Sequence, residues 1–423
     1  MTPAESLAPG HKEEQFLKER FMKFYARHLP LVHGSISERE FGYGTFGKKI
    51  VNRNLFFDSE TSFKEFLLKE KPLHVSASVA YYSAKAHGKR EWNGMDLVFE
   101  FDADAIPTEC KLEHDSWECT NCKARGKGSK ELCDQCGKPT KVSYWVCWKC
   151  LERTKEETVK LVEDFLQRDF GFAPKEIYCN FSGNRGFHTY VRNSAVRDLD
   201  KNAVMEIVNY VQGTNLLPEA HRLVSVKEKR HELIRGPKPT DFGWSGRIAR
   251  AAVSYFGKAR EEEVAKDLNV SVSESRKLVE NKDKIIKGVS QGYWDQLKFG
   301  KASENAAAGL WSRIAKKFAV KSAADVDEQA SMDVKKIMRL PESLHGSTGL
   351  LAKTLEFKDL TGFDAFKESV VFSSEEFGVK ATEGVPGFTL NGLEFGPFEK
   401  GAKATLPEYA AVYLLARKSA VLA

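Results

Sequence analysis

Glu100, Asp102 and Asp104 alternate with apolar neighbours in the stretch Phe99-Glu100-Phe101-Asp102-Ala103-Asp104. On an extended strand they share one face, with successive carboxylates roughly 6.5–7 Å apart along the chain. Acids so placed repel one another unless cations lie between them. Two Mg²⁺ or Mn²⁺ ions ~4 Å apart would answer that repulsion and support nucleotidyl transfer. One ion would activate an attacking hydroxyl, and the other would neutralise a departing pyrophosphate. The plain alternative is a strand that ends in solvent with hydrated acids.

A second constellation is Ser182-Gly183-Asn184-Arg185-Gly186-Phe187-His188. Its glycines permit positive φ and let backbone N–H groups approach an anion. Ser182, Arg185 and His188 add side-chain donors, and a guanidinium can bind phosphate oxygens in bidentate fashion. A third lies between Asp327 and Gly349, where Asp327, Arg339 and His345 come together with a Ser-Leu-His-Gly turn. An acid there would complete a metal site, but residue type alone does not choose Asp327 over Asp325 or Asp333.

Seven of the eight cysteines fall between Cys110 and Cys150. With His114 they form four two-ligand knuckles: Cys110/His114, Cys119/Cys122, Cys133/Cys136 and Cys147/Cys150. Eight ligands suffice for two closed tetrahedral Zn²⁺ sites, which are structural rather than catalytic. Nested and interleaved pairings both satisfy the spacing. Cys179 stands apart and reads as a buried strand residue.

These groups need a scaffold. Helical periodicity over 12–30 ends at Pro30, and the Gly- and aromatic-rich stretch after Arg39 predicts a hairpin. The run MDLVFEFDADAI predicts a buried strand carrying the acids, and IYCNF and GFHTYVR predict strands on either side of the Ser-Gly turn. Helices are expected over 155–167, through much of 200–320, and in the closing LPEYAAVYLLARKSA. Such an order predicts a mixed α/β (α+β) fold.

The chain of 423 residues has 42% apolar and 29% charged residues and a formal charge of +6, ordinary globular values. No apolar run approaches the ~18 residues of a membrane span. The opening MTPAESLAPGHKEEQ lacks the layout of a secretory signal, which predicts a cytoplasmic protein without membrane contact. Residues 221–260 hold ten Lys/Arg against three acids, with Phe242, Trp244, Tyr255 and Phe256 interspersed. That mixture would suit single-stranded nucleic acid, or else a solvated helical face over core aromatics.

Taken in order, FEFDAD, SGNRGFH and VDEQASMDVKKIMRLPESLHGSTGL resemble the motifs of the small, catalytic subunit of archaeal and eukaryotic DNA primases. SASVAYY and the closing LPEYAAVYLLARK extend the resemblance over nearly the whole chain. It implies a primase-type catalytic core formed by 1–109, 151–199 and 321–423, a zinc module at 110–150, and a mainly helical insertion at 200–320. It puts catalytic metal binding on Glu100, Asp102 and Asp327, although the family has Asp where Glu100 stands, which keeps Asp104 open as a substitute. Ser182, Arg185, His188, Arg339 and His345 match the family's nucleotide contacts, and Arg53 resembles a further one. Smaller members with a single Cys/His site favour nesting: Cys110, His114, Cys147 and Cys150 as a base site, with Cys119, Cys122, Cys133 and Cys136 as an inserted ribbon. The implied activity is template-directed synthesis of short RNA primers from nucleoside triphosphates, with DNA primers left open. The implied partners are a large subunit, in a heterodimer, and single-stranded DNA template. A repair or plasmid-type primase–polymerase and a non-catalytic zinc-ribbon nucleic-acid binder are the alternatives.

Overall fold

The computed structural model describes residues 10–84, 90–214, 216, 224–228, 231–294, 297, 314, 317, 324, 326, 331, 333 and 335–423. The chain divides into two compact units. One comprises Met1–Val159, Ala173–Met205 and Asp327–Ala423; the other comprises Lys160–Phe172 and Glu206–Val326.

Two antiparallel four-stranded sheets organise the first unit. In one, the strands run in the order Ile337–Arg339, His74–Ser78, Phe41–Thr45, Lys48–Leu55. In the other the order is Thr354–Leu355, Ile177–Phe181, Gly186–Val191, Leu97–Asp102. Register in the second sheet sets Glu100 opposite His188 and Asp102 opposite Gly186. Because strand side chains alternate, Phe99 and Phe101 are buried on one face while Glu100 and Asp102 emerge on the other. The strand stops at Asp102: the Ala105 N–H returns to the Asp102 carbonyl at 3.1 Å, closing a turn. Asp104 therefore lies in that turn rather than on the continued strand face.

Helix His11–Arg27 buries Leu17, Phe21 and Tyr25, each one helical repeat of four apart. Burial of such side chains stabilises by about 1.5–3 kcal/mol each. Tyr25 also does positional work: its hydroxyl accepts the Leu344 N–H at 3.1 Å, anchoring the turn that carries His345. Helix Glu408–Arg417 buries every residue from Tyr409 to Ala416. A mixed α/β architecture results, as the element order predicted. A three-stranded ribbon, in the order Arg125–Lys127, Ser116–Cys119, Thr140–Ser143, carries part of the cysteine segment.

The expected helix over 155–167 starts earlier, at Trp148, and runs to Lys160 before Leu161–Gln167 continue in wider π-type turns.

In the second unit, helices Gly243–Lys258, Glu261–Leu268, Val272–Glu280 and Lys282–Ser290 enclose a core of Ile248, Phe256, Leu268, Ile285 and Trp294. Ser271 and Glu274 form a reciprocal capping box at the third of these. Asp169 pairs with Arg247 at 2.8 Å, both side chains buried. The helical reading of 200–320 missed a pair of antiparallel strands, Val224–Glu228 with His231–Arg235. Trp244 and Phe256 are core residues, while Phe242 is 81% exposed, so these interspersed aromatics do not form a common stacking surface. No described helix is long and apolar enough to cross a membrane.

Candidate active site and metal centres

In the first unit the two sheets wall a cavity of about 220 Å³. Its lining includes Glu100 and Asp102 from the carboxylate strand, and Ser182, Asn184, Arg185 and His188 from the Ser-Gly turn and the strand after it. Lys49, Ser76, Lys336, Arg339 and His345 add further polar groups, and Ile50, Ile337 and Met338 the apolar remainder. Three motifs far apart in sequence thus share one wall. Among the described residues four cationic side chains line it with two carboxylates, an excess suited to a polyanion.

The carboxylates are held by basic partners. Arg185 reaches Asp102 at 3.1 Å through Nε and Asp104 at 2.7 Å through Nη1. Glu100 stands 3.5 Å from His188 Nε2 and 3.6 Å from Lys336 Nζ. Burial alone would raise the Glu100 pKa, but the His188 hydrogen bond and charge, with Lys336 and Lys49, outweigh it and bring it to about 2. Asp102 goes the other way. Burial raises it, Arg185 opposes, and the charges of Glu100 and Asp104 add to the rise. One oxygen of Asp104 is buried with no partner among the described residues. Crowded acids with an orphaned oxygen are what a divalent cation relieves, and hard carboxylate oxygens suit Mg²⁺ or Mn²⁺.

The Ser-Gly turn works differently from the sequence expectation. Ser182 Oγ accepts the N–H groups of Asn184 at 3.4 Å and Gly186 at 3.1 Å, so those two backbone donors are spent inside the turn. Side chains, not these amides, face the cavity. Gly183 has φ 78° and its missing Cβ makes room for His345 and Leu350. Gly186 likewise admits no side chain, because Phe101 and Asp102 press against it.

His345 is buried, and its Nδ1 accepts the Ser347 N–H at 3.2 Å, which leaves the proton of the neutral ring on Nε2. Burial, Arg339, His74 and the nearby Lys49 and Arg185 press its pKa well below the usual range, so the ring is a neutral donor. Arg339 stays a cation although burial lowers its pKa to about 10. Arg53 is absent from the wall: its Nε bonds Glu40 at 2.7 Å and its Nη2 bonds the Lys335 carbonyl at 2.9 Å. Asp327 lies outside the described residues. Between the two candidates for the acid beside Asp102, Glu100 lines the cavity and Asp104 engages Arg185.

Sequence reasoning missed Lys49, His74 and Lys336. A lone histidine in an apolar strand reads as core, and lysines on a hairpin edge or a charged loop read as solvated. Pairing of the Ile337–Arg339 strand with His74–Ser78 brings Lys336 to the cavity and sets His74 beside Arg339, 265 residues away in sequence, while Lys49 comes from the neighbouring hairpin.

The cysteine segment assembles two clusters, Cys110/His114/Cys147/Cys150 and Cys119/Cys122/Cys133/Cys136, each with ligand atoms within 4.8 Å of one another. Of the pairings left open by spacing, this is the nested one. Sulfur separations in the first are 3.5, 3.6 and 3.8 Å, with His114 Nε2 3.4 Å from Cys150. In the second they are 3.4, 3.5 and 3.6 Å. Four thiolates around Zn²⁺ at ~2.3 Å would stand ~3.8 Å apart, so the donor set fits a structural zinc. His114 Nδ1 lies 2.8 Å from Asp115, which also accepts the Trp145 N–H at 2.9 Å. That carboxylate fixes the ring with Nε2 turned to the sulfurs.

Fold and cleft together define a mixed α/β protein that sets paired carboxylates against a cationic wall and carries two clusters of metal-ligating side chains, one of three Cys and a His and one of four Cys. The family described as DNA primase small subunit matches residues 139–357. DNA primase small subunit PriS of Methanothrix thermoacetophila is 31% identical over 427 residues, covering 96% of this chain and 98% of the relative. The counterparts from Nitrosopumilus maritimus and Methanosarcina acetivorans are 28% and 30% identical, over 97% and 95% of this chain and 98% and 95% of the relatives. The chain belongs to the DNA primase small subunit family, and it is a nucleotidyltransferase of the kind that synthesises RNA primers on a template.

Proposed function

We propose that the cavity of the first unit is where this primase joins nucleotides. Glu100 and Asp102 would hold two Mg²⁺ or Mn²⁺ ions, with Asp327 as a third acid. When bound, such ions lower the pKa of an attacking hydroxyl and neutralise charge on the leaving pyrophosphate. Ser182 offers its hydroxyl proton, Arg185 and Arg339 their guanidinium N–H groups, and His345 its Nε2 proton to the phosphates. His188 orients Glu100 and contributes a ring edge to the same wall. Arg53, tied to Glu40, would reach an incoming nucleotide only by exchanging that partner. Catalysis then rests on positioning and charge neutralisation, with no covalent enzyme intermediate.

The observation that carries this reading is the meeting, in one cavity, of Glu100 and Asp102 with Arg185, Arg339 and His345. Residues 1–109, 151–199 and 321–423 would form the catalytic core, 110–150 a zinc module and 200–320 an insertion. A large subunit, single-stranded DNA template and nucleoside triphosphates are the partners that this function requires, and its place is with the replication machinery in the cytoplasm. The test is dinucleotide synthesis on single-stranded DNA. Wild-type protein should give Mg²⁺- or Mn²⁺-dependent product and Asp102→Ala none; equal product from both would remove the assignment, and template binding alone would leave a zinc-ribbon binder.

A further inference from the structure

We propose that His74 is a positioning residue for Arg339, its ring nitrogen taking one guanidinium N–H so that the others are aimed into the cavity. The inference rests on the reading of that cavity as a nucleotide site.

Strand His74–Ser78 pairs with Ile337–Arg339, in a register that sets Arg339 opposite Ser76. Arg339 Nη2 lies 2.6 Å from His74 Nδ1, and Nη1 donates to the Val75 carbonyl at 3.2 Å. Two adjacent residues of one strand therefore fix the plane of the guanidinium. His74 is 1% exposed, and its own movement is blocked. Its ring meets that of His345 edge-on, centroids 5.3 Å apart at 85°. Gly346 sits directly on it: a Cβ there would come within 2.6 Å of His74 Nε2. One ring thus joins the strand that carries Arg339 to the turn that carries His345.

The choice of histidine has a physical reason. Arg185 is paired with two carboxylates, whereas Arg339 has no carboxylate partner among the described residues. An aspartate at position 74 would orient Arg339 and cancel its charge. A neutral imidazole orients it and leaves the whole positive charge for a phosphate. Burial, Arg339 and Lys49 keep the His74 ring neutral. Fixing a long side chain before the ligand arrives also removes the ordering cost from the binding step.

The test compares His74→Phe, which keeps a ring without an acceptor, with His74→Asn, whose Oδ1 can replace Nδ1, and with Arg339→Ala. The readouts are KM for ATP and kcat in extension of an annealed primer, with thermal denaturation of each variant. His74→Phe should raise KM for ATP about tenfold with kcat within about twofold of wild type, and His74→Asn should recover most of the loss. Should His74→Phe fail to fold, His74→Gln, whose acceptor sits one bond further out, takes its place and should bind ATP less well than His74→Asn. An unchanged KM, or equal losses in the two variants that track their melting temperatures, would overturn the role. If Arg339→Ala itself leaves KM for ATP unchanged, the nucleotide reading of the cavity fails and the proposal falls with it.

Discussion

Gly183→Ala asks whether the Ser-Gly turn and the His345 turn must touch for the site to exist. Residue 183 has φ 78°, where an L side chain costs ~1–2 kcal/mol. The new Cβ would lie 2.8 Å from His345 Cβ and 2.9 Å from the Leu350 carbonyl oxygen. Comfortable carbon contacts need about 3.5–4.0 Å, so the turns would have to part by roughly 0.5–1 Å. Neither neighbour is the tip of a flexible side chain, so the shift must be taken up by backbone. It would stretch the bond from Thr348 Oγ1 to the Gly183 carbonyl, now 2.5 Å, with a further cost of about 1 kcal/mol. Together these give a destabilisation of about 2–4 kcal/mol, or a melting temperature lower by roughly 3–7 °C. Misplacement of His345 on that scale should cost about 10- to 100-fold in kcat/KM for the nucleotide. Thermal denaturation and primer extension at varied ATP read both effects. A melting temperature within about 1 °C of wild type, with kcat/KM within about twofold, would refute the tight coupling of the two turns.

Two further predictions follow from buried and half-buried imidazoles and from clustered sulfurs. Burial and Arg192 hold His33 down at about 4; burial, Arg339 and Lys49 bring His74 to about 2, and His345 is also pressed down. Unfolded chain takes up these protons near pH 6.5 and folded chain does not, so stability should fall as pH drops from about 6.5 toward 4. Melting temperature should therefore decline between pH 7 and 5, and His33→Phe should shallow the slope by about a third; a flat profile would contradict the assignment. Metal analysis should give two zinc ions per chain, falling to one in Cys136→Ser. Cys150→Ser should lower the melting temperature more than Cys136→Ser, since its cluster joins residues 40 apart in sequence against 17. Fewer than two ions in wild type would reject the paired centres.

Much of the site was legible because its chemistry is local. Period-two alternation put Glu100 and Asp102 on one face, and the cysteine knuckles announced their ligands by spacing. What the sequence could not show depends on contacts between distant segments. The strand ends at Asp102, so Asp104 turns to Arg185 instead of continuing the row. Ser182 consumes the amide donors expected to bind phosphate, a local competition that composition does not reveal. His74 looks like any buried strand histidine until the Ile337–Arg339 strand pairs beside it. Arg53 was carried by resemblance alone, and the structure ties it to Glu40. The strand pair Val224–Glu228 and His231–Arg235 was hidden by charge interleaved with apolar residues, which helices also tolerate.

The central claim is that Glu100 and Asp102 hold divalent metal beside a triphosphate cradle. Anomalous scattering from crystals grown with Mn²⁺ and a non-hydrolysable nucleoside triphosphate tests it directly. Manganese peaks should lie about 2.0–2.3 Å from oxygens of Glu100 and Asp102, with phosphates against Arg185, Arg339 and His345. Manganese bound elsewhere, with Asp102 still paired to Arg185 and the cavity free of phosphate, would contradict it.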